Sequence, residues 1–112
     1  MSQGVIARRY AKALINMAEE RKNLENTGLN LSNLAQVFKD SFELREIFSD
    51  TKIASTVKQK LLKEVLVKIN ATELIDTFSR FILFKRRISI LHDIERAFNY
   101  LLQEKLGRIE AK

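Results

Sequence analysis

The chain contains no cysteine, proline or tryptophan, and only three glycines and one histidine in 112 residues. Each scarcity removes a class of protein. Without Cys there is no disulfide framework and no thiolate metal site, and an intracellular compartment is expected. With no Pro, and Gly only at positions 4, 28 and 107, the chain is poorly supplied with the tight turns of a sheet protein. His92 shares a helix face with Glu95 and has Asp93 beside it, but no second His or Cys completes a metal site. A surface or helix-capping place is expected for it. There is no Gly-rich phosphate loop and no Ser or Thr with a base and orienter, and Glu19–Glu20 falls at the polar end of a helix. No catalytic residue, metal ligand or cofactor is therefore expected. No apolar run approaches the about 20 residues of a membrane-spanning helix. The opening MSQGVIARRYAK lacks the apolar core of a secretory signal.

What remains suits one helical domain spanning residues 1–112. Apolar residues make up 46% of the chain, enough for a core at a length where a single domain buries about two-thirds of its unfolded surface. Apolar positions recur at helical spacing almost throughout. The periodicity predicts a first helix over 4–21. A second uses Leu24, Leu31, Leu34, Ala35 and Phe38, with Gly28 as a weak point. A short third lies in SFELREIFSD, with Leu44, Ile47 and Phe48 inward. SDTKIAS, residues 49–55, reads as the main loop, with Thr51 or Ser55 as a cap for the fourth helix. That helix is expected to bury Val57, Leu61, Val65, Leu66 and Ile69. Thr72 is the expected cap of a fifth helix over 73–86. A sixth runs over 88–106, with Leu91, Ile94, Phe98, Leu101 and Leu102 inward and Gly107 as its stop. The fold class is all-α: a single bundle of five to six helices, no sheet.

Two of these helices carry more apolar surface than a bundle needs. At 100° per residue, Ala7, Ala11, Leu14 and Ala18 form one stripe on the first helix, and Ile6, Tyr10, Ala13 and Met17 form a second beside it. With Ile15 they cover roughly 200°, whereas burying one side takes little over 100°. On the fifth helix Leu74, Ile75, Phe78, Phe81, Ile82 and Phe84 span about 180°. One account is central placement, with neighbours all round. The other is a groove between the two helices that accepts an amphipathic helix from another protein. In that account the small Ala side chains of the first helix let the partner approach closely.

Lys and Arg outnumber Asp and Glu by 20 to 14, for a net charge of +6. The densest cluster is Lys85, Arg86 and Arg87, and Arg8, Arg9 and Lys12 lie on one polar side of the first helix. A helix end with cations that complement its dipole, and an ordinary solvated face, account for these charges. The alternative function is a basic, all-helical nucleic-acid-binding module; a homodimer through the groove is a third possibility.

ARRYAKAL, at 7–14, resembles the opening motif of the delta subunit of F-type ATP synthases, whose mitochondrial counterpart is the oligomycin-sensitivity-conferring protein. LREIFSDTKIASTVKQKLLKEVL resembles the family's middle, and FILFKRRISILHDIERAFNYLLQEKLG its last N-domain helices. Where the family often has Asn-Gly before an Arg, this chain has Lys85–Arg86, and the Pro common before the fourth helix is absent. The resemblance implies a six-helix N-terminal domain without the C-terminal, stalk-binding part, the chain stopping at RIEAK. It implies a non-catalytic stator component in which helices one and five hold the N-terminal helix of an alpha subunit of the catalytic head. The peripheral-stalk b subunits would be reached only through the C-terminal part, with no nucleic acid and no membrane insertion involved. The implied location is the cytoplasmic face of a bacterial inner membrane, or the matrix side of the mitochondrial inner membrane. The expected partner-binding residues are Tyr10, Ala13, Leu14 and Met17 on the first helix, with Phe78, Phe81 and Ile82 on the fifth.

Overall fold

A computed structural model describes residues 2–109; the last three residues of the RIEAK ending lie outside them. The described residues form α1 (Gln3–Glu20), α2 (Leu24–Asp40), α3 (Phe42–Ser49), α4 (Ser55–Lys68), α5 (Glu73–Phe84), a 3-10 turn at Ile88–Ile90, and α6 (Leu91–Lys105). The chain is an all-α bundle, with no strand among the described residues.

The helix starts follow ordinary capping chemistry. The hydroxyls of Ser2, Ser41 and Thr72 accept from the amides of Val5, Leu44 and Ile75, each satisfying one of the N–H groups that a helix leaves unpaired. Thr72 thus caps α5 as its sequence position predicts. The fourth helix departs from expectation: it starts after Ala54, and neither Thr51 nor Ser55 caps it. The sixth begins later than its apolar spacing suggests, because residues 88–90 wind into the tighter 3-10 turn first.

The helix ends show how a chain without Pro and nearly without Gly still turns. After α1, α4, α5 and α6 the backbone makes the same paired bonds. Lys22, Asn70, Arg86 and Gly107 donate to Glu19, Val67, Leu83 and Glu104, and the next residues donate to Ala18, Leu66, Ile82 and Gln103. This closure places the residue just past the helix in the left-handed region. Gly107 takes it at φ 72°, but Lys22, Asn70 and Arg86 take it at 54°, 55° and 59°. Only Gly107 was legible as a stop. At Lys22, Asn70 and Arg86 a residue with a Cβ bears this turn.

α6 is the spine. Both α1 and α2 pack chiefly against it, while α4 packs on α5 and both reach α2. From α1, the core receives the first stripe together with Ile15: Ala7, Ala11, Leu14, Ile15 and Ala18 are all buried. The small residues of α1 therefore serve its contact with α6 inside the domain. α4 differs in detail from its sequence pattern: Leu62, Val65 and Leu66 are buried, Leu61 and Ile69 are half-buried, and Val57 is exposed. The two adjacent leucines are interchangeable in a periodicity count, and packing selects Leu62.

Gly28 is a site of close approach. A Cβ there would lie 3.0 Å from Leu102 Cδ2 and 3.2 Å from Phe98 Cε1. The glycine lets α2 and α6 come together at this level.

Candidate partner-binding site

The second stripe of α1 remains uncovered. Ile6 and Tyr10 are half-buried, Ala13 is exposed, and Met17 is 39% exposed. On α5 the wide apolar arc is split. Leu74, Ile75, Phe78 and Ile82 go into the core, while Phe81 is 46% and Phe84 79% exposed. α1 and α5 are joined by side chains. Tyr10 meets Phe78 edge-on at 6.4 Å between ring centroids and Phe81 at 6.1 Å. Such edge-to-face pairs are the preferred aromatic geometry. The three rings form a continuous apolar floor that spans from one helix to the other, with Met17 and Ala13 extending it along α1.

Central placement therefore does not account for the surplus surface: neither helix is enclosed by neighbours. The structure divides the seven residues singled out from the sequence. Tyr10, Ala13, Met17 and Phe81 present surface to solvent. Leu14 and Ile82 are fully buried and support the surface from beneath; Phe78, 4% exposed, is the covered ring that links Tyr10 to the α5 side of the floor. Their position in the middle of an apolar arc is the signal of a core residue, and packing uses them as such.

Two residues outside the set of seven, Phe84 of the apolar arc and Lys85 of the basic cluster, join it in the structure. Phe84 is the most exposed large apolar residue among the described residues, and lies three positions after Phe81 on the same side of α5. Lys85 places its Nζ 5.7 Å from the centroid of the Phe81 ring, a cation over an aromatic face. The first member of the Lys85–Arg87 cluster thus lies against Phe81, while Arg86 and Arg87 are exposed in the turn that follows. His92 is exposed as well, away from these residues, at the start of α6.

The groups that this surface presents are the Tyr10 and Phe81 rings, the Tyr10 hydroxyl, the Met17 thioether and the Ala13 methyl, with the Lys85 ammonium at the edge. Among the described residues no cluster of three or more His, Cys, Asp or Glu could hold a metal ion, and no helix is long and apolar enough to cross a membrane. The surface is suited to contact with another apolar surface.

Comparison with known proteins gives the family of the chain. The sequence model of the family described as ATP synthase delta (OSCP) subunit matches residues 6–112. The chain is similar to the ATP synthase subunit delta of Trichlorobacter lovleyi, at 28% identity over 97% of this chain and 61% of the relative. It is likewise similar to those of Beijerinckia indica, at 28% over 95% of this chain and 56% of the relative, and Methylobacterium nodulans, at 29% over 97% and 57%. The chain thus spans less than two-thirds of the length of these curated relatives. A match that runs from Ile6, in the first turns of α1, through the whole bundle places this chain in the ATP synthase delta (OSCP) subunit family.

Proposed function

We propose that this domain is a stator joint of an F-type ATP synthase. The trough between α1 and α5 holds the N-terminal helix of one alpha subunit and so ties the catalytic head to the peripheral stalk. The observation that carries the reading is the Tyr10–Phe78–Phe81 floor, open on one side and continuous across two helices. An amphipathic helix laid along it would cover Tyr10, Ala13 and Met17 from one side and Phe81 and Phe84 from the other.

The role is mechanical. Torque on the central rotor acts on the head as well, and ATP synthesis requires the head to stay still. A joint in that position needs contact area and slow dissociation. Fully burying a large apolar side chain contributes about 1.5–3 kcal/mol, and the half-exposed rings here have roughly half of that left to contribute. Several such residues acting together exceed the association cost only if the visiting helix covers them all. Contact with the stalk's b subunits is assigned to the part of the relatives that this chain does not span, and membrane association is peripheral, through the complex.

Titration of the 112-residue chain and its Tyr10→Ala and Phe81→Ala variants with an alpha-subunit N-terminal peptide tests the reading. Each variant is expected to bind about tenfold more weakly, a loss of ~1.4 kcal/mol, with an unchanged far-ultraviolet circular dichroism spectrum. Equal affinity of both variants and the parent would remove the trough from the interface.

A further inference from the structure

A cavity of about 600 Å³ lies away from the α1–α5 surface, between α2, α3 and the start of α6. Its walls include Phe38, Phe48, Ile88 and Leu91, all buried core residues. The cavity is open to solvent on one side, where Lys39, Phe42, Arg45 and His92 are exposed. It falls within the range of small-molecule pockets, about 300–1,000 Å³ of mainly apolar wall with a few placed polar groups.

The polar groups are gathered at the C-terminal end of α2. Arg45 Nη1 donates to the carbonyls of Phe38 at 2.7 Å and Lys39 at 2.5 Å, which pins the guanidinium at the mouth. Its Cζ lies 5.9 Å from the centroid of Phe42, a ring left 57% exposed at the same opening. Lys39 completes the pair of cations. Among the described residues neither is ion-paired to a carboxylate. Glu46 is the one acidic side chain in the lining and His92 the remaining titratable one.

We propose that this cavity binds the anion of a medium-chain fatty acid. The alkyl tail lies against Phe38, Phe48, Ile88 and Leu91. The carboxylate sits at the mouth, where the Arg45 N–H groups not donated to α2, together with the Lys39 ammonium, receive it. A guanidinium held flat by two carbonyls presents its other edge at fixed geometry, which suits a planar carboxylate. An apolar chamber alone would accept any oily molecule. The unpaired cations at its entrance select the anionic head, and an ammonium head would meet them with repulsion. This site is independent of the trough, and its failure would leave the proposed joint untouched.

The test is amide chemical-shift mapping of the 112-residue chain with sodium decanoate below its micelle-forming concentration, alongside 1-decanol and decyltrimethylammonium. Decanoate is expected to shift the amides of Phe42, Arg45, Ser89 and His92 saturably. Its affinity should be at least tenfold above that of decanol, and the ammonium should give no saturable shift. Lys39→Gln, at an exposed position, should weaken decanoate at least threefold. Ser89→Phe, which puts a ring into the chamber from an exposed lining position, should abolish binding. Equal binding of all three head groups, shifts centred on Tyr10 and Phe81, or no saturable shift would each overturn the proposal.

Discussion

Asn30 on α2 and Thr72 at the start of α5 are joined by a 2.8 Å hydrogen bond from the Thr72 amide to Asn30 Oδ1. The other end of the same side chain, Nδ2, donates to the carbonyls of Ile69 and Asn70 at 3.4 Å. Asn30 is only 6% exposed, so one buried amide organises the whole α4–α5 turn, including the left-handed Asn70. Because α5 carries one wall of the proposed trough, Asn30 sets where that wall begins.

Asn30→Ala should therefore act on stability and on the trough together. It strands the Thr72 N–H and two carbonyls near the core, at a cost of about 1–3 kcal/mol. Urea denaturation followed by circular dichroism is expected to show a lower midpoint. Binding of the alpha peptide should weaken even though Asn30 touches no part of the trough.

Arg86 has φ 59° in the turn after α5. A residue with a Cβ in this region carries about 1–2 kcal/mol of strain, and Gly is free of it but has more freedom to lose on folding, so Arg86→Gly should stabilise by about 0.5–1 kcal/mol. Its neighbour Arg87 has φ −113°, where Gly gains nothing. Arg87→Gly should lower the thermal midpoint while Arg86→Gly raises it.

Adjacent positions on α2 should respond in opposite directions. Thr27 is fully buried and its hydroxyl has no hydrogen-bond partner. Thr27→Val keeps the shape and removes the orphaned polar atom, and is expected to raise stability by about 1 kcal/mol. Gly28→Ala gains helix propensity but drives a methyl into the Phe98 ring, itself 1% exposed and unable to withdraw. Overpacking of about 1–3 kcal/mol exceeds the propensity gain of up to about 1 kcal/mol, so a lower denaturation midpoint is expected.

The residues beneath the trough should separate from those on it. Leu14→Ala and Ile82→Ala remove fully buried side chains and should cost about 2–5 kcal/mol of stability. Tyr10→Ala and Phe81→Ala should cost far less stability and more affinity. Denaturation and peptide titration on the same four proteins read the two effects apart.

The helical class, the cap at Thr72 and the excess apolar arc of α1 follow from local patterns, because capping and a 3.6-residue period depend on neighbours in sequence. Periodicity alone does not choose between the two stripes of α1; the expectation of the second stripe as the outward one comes with the family resemblance. Both are apolar and both are continuous; the stripe with Ala7, Ala11 and Ala18 faces α6, leaving Tyr10, Ala13 and Met17 outside. Only packing makes that choice, since it depends on which face meets a neighbour closely. The same holds for Leu62 over Leu61, for Leu14, Phe78 and Ile82 as the underside of the site, and for the chamber at Arg45. Each is a relation between residues far apart in the chain, and becomes a fact only when the helices are set side by side.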